Sequence, residues 1–221
     1  AEHRRVIAYD HRGTGRSDRA LPDVVTVDDF ADDIITLMDA LEIAQAHLIG
    51  HAAGGVAGLA LALKAPERLV SLVTINAWSK PDPHFLRCFE ARLNLLRHAG
   101  VEAYLKAQPI FLYPPNWVSE HSCELDAELL HQVADFPGVE TMEKRIAALA
   151  AFDVDDRLEG LTSNVLVVSG GLDMLVPPLC SYRLAQMIPD AWNRELSWEG
   201  HALNVTAADD FGEMVLNYFG G

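Results

Sequence analysis

The sequence predicts an α/β fold: a mostly parallel sheet with helices on both faces and an all-helical insertion capping one end. Three observations predict it. Short apolar runs stop repeatedly at Gly, Asp or Asn, most are followed by apolar residues three and four apart, and from Lys80 to Phe152 the helical period continues without a strand. Strands that alternate with helices are joined by crossovers, which sets neighbouring strands parallel and covers both faces of the sheet.

In chain order, Arg5-Val6-Ile7-Ala8-Tyr9 reads as a buried strand that leaves the sheet at Asp10 and the turn Arg12-Gly13-Thr14-Gly15. Phe30, Ile34, Leu37, Met38 and Leu41 mark one face of a helix, and Thr26 with Asp29 three residues on forms a capping pair at its start. His47-Leu48-Ile49 is the next strand; it breaks at Gly50, and the small-residue run Ala52 to Leu63 reads as a helix able to approach its neighbours closely. Leu69 to Ile75 supplies a third strand, ending at Asn76-Ala77-Trp78. Phe85, Phe89, Leu93 and Leu96 open the helical stretch, a turn interrupts it at Tyr113-Pro114-Pro115, and two further helical segments follow. Val165 to Val168 restarts the strand rhythm, Asn193 to Trp198 is a weaker strand, and Phe211 to Phe219 a closing amphipathic helix. The chain divides into 1–79, 80–152 and 153–221, two parts of one core around a helical cap.

Composition narrows the function. The chain has 221 residues, half of them apolar, enough for one sizeable core. A net charge of −15 disfavours nucleic acid and anionic membrane surfaces, both of which call for a basic footprint. No apolar run approaches the roughly 18 residues of a membrane span, and no basic segment followed by an apolar one opens the chain. Cys88, Cys123 and Cys180 are an odd number at wide spacing, which suggests neither a disulfide framework nor a zinc site; a cytoplasmic protein is expected. The histidines lack ligand spacing, so neither metal nor cofactor is expected. The partner expected is a small-molecule substrate; the assembly is left open, a homodimer included.

In open parallel sheets ligands gather beyond the carboxyl ends of the strands. Three features sit there: the turn Gly50-His51-Ala52-Ala53-Gly54, Asp173 after Val168-Ser169-Gly170-Gly171, and His201 after Trp198-Glu199-Gly200. A carboxylate held on one imidazole nitrogen leaves the other free to take a proton. The turn has the G-x-S-x-G spacing, yet Ala52 stands where a serine would be, so no acyl-enzyme can form at this position. What remains is room for a water beside the backbone N–H of Ala53. His51, within the turn, Trp78, at a strand end, Tyr113, at the cap turn, and Asn204, one helical turn after His201, are the substrate-binding residues expected. Gly13-Thr14-Gly15 alone would suggest phosphate binding, but position 18 is Asp and the dinucleotide fingerprint fails.

On these residues the sequence resembles the α/β-hydrolase family across essentially its whole length. Asp10-His11-Arg12-Gly13-Thr14-Gly15-Arg16-Ser17 is similar to the family's turn after its fourth strand, Gly50 to Gly55 to its elbow, and the Asp173 and His201 contexts to its acid and base, in the family's chain order. Val73-Thr74-Ile75-Asn76-Ala77-Trp78, Ala107 to Pro114 and Gly200 to Thr206 further resemble the hydrolases of bacterial pyrimidine utilisation, in which the nucleophile place also carries alanine. That resemblance implies hydrolysis of carbamate or aminoacrylate formed from uracil, with His201 and Asp173 catalytic and the Ala53 amide steadying negative charge. It also implies three strands and a helix ahead of Val6, the third strand carrying a loop with a second such amide. These would precede the present residues, so either the sequence is a fragment or the strands at Val6–Tyr9 and His47–Ile49 pair unusually. The competing reading is a catalytically silent member of the fold that binds a ligand or partner.

Overall fold

The computed structural model describes residues 4–220, so the outermost residues of the first and last segments lie outside it. Four parallel strands, β1 (Ala46–His51), β2 (Leu69–Ile75), β3 (Val165–Gly170) and β4 (Trp192–Leu196), form one sheet in chain order. The period-2 alternation of the strands, interrupted in β2 by an irregularity between Leu69 and Ser71, assigns its faces. Leu69, Leu72, Val165 and Val167 turn toward α1 (Val27–Ala40), α2 (Ala53–Lys64) and α8 (Pro178–Met187), whereas Val73, Ile75, Leu166 and Val168 pack with α9 (Leu203–Thr206) and α10 (Ala208–Tyr218).

The capping pair forms: the Thr26 hydroxyl accepts the Asp29 N–H, and the Asp29 carboxylate accepts the Thr26 N–H at 2.8 Å. Between β2 and β3 run five helices, α3 (Pro83–Ala99), α4 (Val101–Leu112), α5 (Pro115–Glu120), α6 (Ser122–Ala134) and α7 (Val139–Ala150). Three helices, where the sequence suggested two, follow the Tyr113-Pro114-Pro115 break. His121 ends α5, and α6 starts at the very next residue, so no sequence punctuation separates them. These helices build their own apolar cluster around Leu96, Tyr104 and Leu105.

One expected strand is corrected. Arg5–Tyr9 is not part of the sheet; Tyr9 packs on the main core, but Val6 is 69% and Ile7 40% exposed. A strand exists through ladder bonds to a neighbour. Here the neighbour would be β1, and the two are separated by an apolar groove of about 130 Å³ lined by Ile7, Tyr9, Leu37 and Leu48. Unusual pairing of the two segments is therefore not what the chain does. Among the described residues no helix is long and apolar enough to cross a membrane.

The elbow between β1 and α2 brings backbone into close contact. A Cβ on Gly50 would lie 2.3 Å from the Gly54 carbonyl oxygen and 2.4 Å from its carbon, whereas on Gly54 the nearest heavy atom would be 3.9 Å away. Two glycines of one motif are thus not equivalent. Gly50→Ala should cost about 1–3 kcal/mol, the usual penalty of forcing atoms into filled space. Gly54→Ala, inside a helix with space around it, should be neutral or stabilise by about 0.4–1 kcal/mol. Urea unfolding midpoints of the two variants check this.

Candidate active site

The elbow, the end of β2, the end of β3 and the segment before α9 converge at the carboxyl edge of the sheet. Asp173 follows β3 in a turn closed by its own N–H on the Gly170 carbonyl at 3.2 Å. Its Oδ1 accepts the backbone N–H groups of Leu175 and Val176, each at 2.8 Å, and its Oδ2 accepts His201 Nδ1 at 2.7 Å. The Asp173 side chain is fully buried and that of His201 is 3% exposed. Two backbone donors and an imidazole offset the cost of burying this carboxylate. They also settle the tautomer: Nδ1 carries the proton toward Asp173, and Nε2 has no protein partner among the described residues.

His201 is held from its backbone as well. Its carbonyl accepts Asn76 Nδ2 at 2.6 Å and His51 Nε2 at 2.8 Å, while the Asn76 Oδ1 accepts the Gly170 N–H at 2.8 Å. Asn76 is itself buried and left-handed, with φ +49°. Sequence reasoning treated it as a strand end only; a polar, turn-tolerant residue directly after a largely apolar strand was the available signal. On the outer side the Ala202 N–H donates to the Leu112 carbonyl at 2.9 Å, tying the histidine segment to α4.

His201, Ala52, Ala53, His51, Trp78 and Thr14 share one cavity of about 270 Å³. Ala52 has φ +47° and ψ −108°, a strained conformation for a residue with a Cβ, and its N–H donates to the Ile75 carbonyl at 2.8 Å. Ala53 opens α2, so its N–H is one of the amides at a helix start without an intrahelical acceptor. Trp78 packs on Phe85 at 4.5 Å and leaves its indole Nε1 buried without a partner.

Two expected binding residues lie elsewhere. Tyr113 stacks on Trp117 at 4.3 Å and lines a separate cleft with Leu125 and Leu129, because the turn before α5 directs the ring along that helix. Asn204 lies on α9 with its Oδ1 buried and unpartnered, outside the residues that line the cavity with His201. Conversely, Thr14, Arg92, Tyr104, Gln108 and Arg145 do line it. They come from the early turn and the helical insertion, whose convergence no local pattern reports.

This chain matches the α/β hydrolase fold family over residues 1–208, and it belongs to that family. Among its relatives, the protein named "Putative carbamate hydrolase RutD" of Caulobacter vibrioides is 52% identical over 216 residues, 98% of this chain and 80% of that protein. The protein of the same name from Variovorax paradoxus is 49% identical over 97% of this chain and 80% of its own length. Among solved structures, an enol-lactonase from Burkholderia xenovorans superposes with a TM-score of 0.84 at 26% identity, covering 96% of this chain and 80% of that one.

The histidines around the site make stability depend on pH. Burial, with the charge of His201 adding to it, pulls the His51 imidazole down to about 3, and burial with the Arg145 charge pulls His11 down to about 4. Between pH 6.5 and about 4 the unfolded chain binds protons on both rings that the folded chain does not, so folded stability falls as pH falls through that window. The melting temperature should therefore drop between pH 7 and pH 4. In His51→Gln, which keeps a donor for the His201 carbonyl, the decline measured by calorimetry should be shallower.

Proposed function

We propose that the protein is a cofactor-independent hydrolase of a small, labile C–N compound in uracil nitrogen catabolism, carbamate in the first place and aminoacrylate in the second. The observation that carries this reading is a buried Asp173–His201 pair, with every carboxylate oxygen hydrogen-bonded, opening onto a cavity where the nucleophile position is a methyl group. A binding protein has no use for an imidazole whose tautomer is set this way. The name carried by the relatives points to the same substrate.

The mechanism uses water as nucleophile. His201 Nε2 takes a proton from a water placed beside Ala52 as the oxygen bonds to the carbamate carbon; Asp173 stabilises the imidazolium. The Ala53 N–H, at the start of α2, steadies the negative charge that builds on oxygen. The imidazolium then returns the proton to nitrogen as the C–N bond breaks, so carbamate and water give ammonia and bicarbonate. Positioned proton transfer contributes about 10²–10⁴-fold, which suits a substrate already prone to decompose and would not serve a peptide. His51 supports the His201 segment, and Trp78 walls the cavity.

Ammonia release from freshly prepared carbamate tests the reading. His201→Asn should lower the catalysed rate by about 10²-fold or more, and Asp173→Asn by a similar factor through loss of the productive tautomer. A rate in His201→Asn equal to that of the parent protein would leave a ligand-binding member of the fold instead. Neither protein should be acylated by p-nitrophenyl acetate.

A further inference from the structure

Among the described residues, those lining the His201 cavity include two arginines, Arg92 and Arg145, and no aspartate or glutamate, in a chain whose net charge is −15. Arg92 is the more unusual. It lies on α3, only 6% exposed, and among the described residues it forms no ion pair with a carboxylate. Its hydrogen bonds go from Nη2 to neutral acceptors, the Tyr104 hydroxyl at 3.0 Å and the Gln108 Oε1, while Nε is buried without a partner. The rings of Phe89, Tyr104 and Phe111 surround the guanidinium at 5.0, 5.3 and 5.7 Å from their centroids.

Such an arrangement holds the plane of the guanidinium rigidly and leaves its charge uncompensated. Buried charges are ordinarily paired, because neither ring faces nor amide oxygens replace the hydration lost. Burial pulls the Arg92 side chain below its usual value, but the guanidinium starts so high that it stays cationic near neutrality. Arg145, the second cation, donates Nη1 to the Arg12 carbonyl at 2.6 Å and lies over Phe30, and among the described residues it forms no ion pair with a carboxylate. The acids around the site are engaged elsewhere, Asp33 with Arg12 and Asp173 with His201.

We propose that Arg92 is the anion anchor of this cavity and that the substrate class is small carboxylates, carbamate included, bound as the anion; neutral amides and esters of the same shape are excluded. This rests on the reading of the cavity as the substrate site. The guanidinium fork matches a carboxylate in its plane, and Gln108 and Tyr104 set the orientation of that fork. With carbamate the same charge also offsets the negative charge gained when water adds to the carbon.

The test uses propionate and its neutral isostere propionamide, with binding measured by ligand-observed NMR on the intact protein. The parent protein should bind propionate and not propionamide. Arg92→Met should weaken propionate binding by at least about 30-fold, the scale of truncating one partner of a buried hydrogen-bonded charge pair. Its melting temperature should hold or rise, since a buried unpaired charge is replaced by an apolar chain. Arg92→Gln, which removes the charge but keeps a polar head for Tyr104, gives the same readout should the methionine variant not fold. Equal binding of propionate and propionamide by the parent protein, or unchanged propionate affinity in either Arg92 variant, overturns the assignment. Loss of ammonia release with propionate binding intact would instead count against the hydrolytic reading alone.

Discussion

The side-chain amide of Asn76 is the joint on which the site depends. It accepts the first free N–H at the end of β3, Gly170, and donates to the carbonyl of His201, so one buried group fixes the ends of two strands to the histidine segment. Each bond alone contributes modestly, but a buried donor or acceptor left unmade costs about 1–3 kcal/mol. The segment therefore has one satisfied arrangement. His51 adds a second donor to the same carbonyl from the elbow, so the nucleophile turn and the histidine are held by one shared acceptor.

The elbow is built as if a side-chain nucleophile were present. Ala52 stays in a conformation that L-residues avoid, and the turn is tight enough that Gly50 has no room for a Cβ. A strained residue of this kind costs on the order of 1–3 kcal/mol, and persists only where its surroundings over-determine it. Here the Ile75 carbonyl and the first turn of α2 do so. What the strain retains, with no hydroxyl on the side chain, is the tight turn that starts α2 at Ala53 beside the cavity.

Charge runs against composition. The chain is strongly acidic, and only a minority of its surface carboxylates lie in ion pairs such as Lys144 with Glu140. Inside the cavity the balance reverses, with two desolvated guanidinium groups and a histidine whose partner is already engaged. Arg92 is a buried charge with neutral hydrogen-bond acceptors only, an arrangement that costs desolvation and is the usual mark of a site shaped for something other than stability.

Much of the sheet was legible because parallel strands buried on both faces read as short apolar runs: Leu69–Ile75 is β2 to the residue, and the Thr26–Asp29 cap stands where the spacing placed it. The hydrogen-bonded Asp173 and His201 were legible as well, since both directly follow strands in a fixed order. Arg5–Tyr9 was misread because an apolar run shows only that a segment could be buried, while burial and strand formation depend on a neighbour that the local sequence does not contain. Likewise Arg92, Tyr104 and Gln108 look like ordinary helix residues, and Asn76 like the close of a strand. By itself the sequence determined the order of elements and which residues end the strands, because periodicity and turn chemistry are local. Only the tertiary structure decided that two arginines and no carboxylate join His201 among the described residues lining one cavity, because that depends on helices distant in sequence closing over the sheet edge.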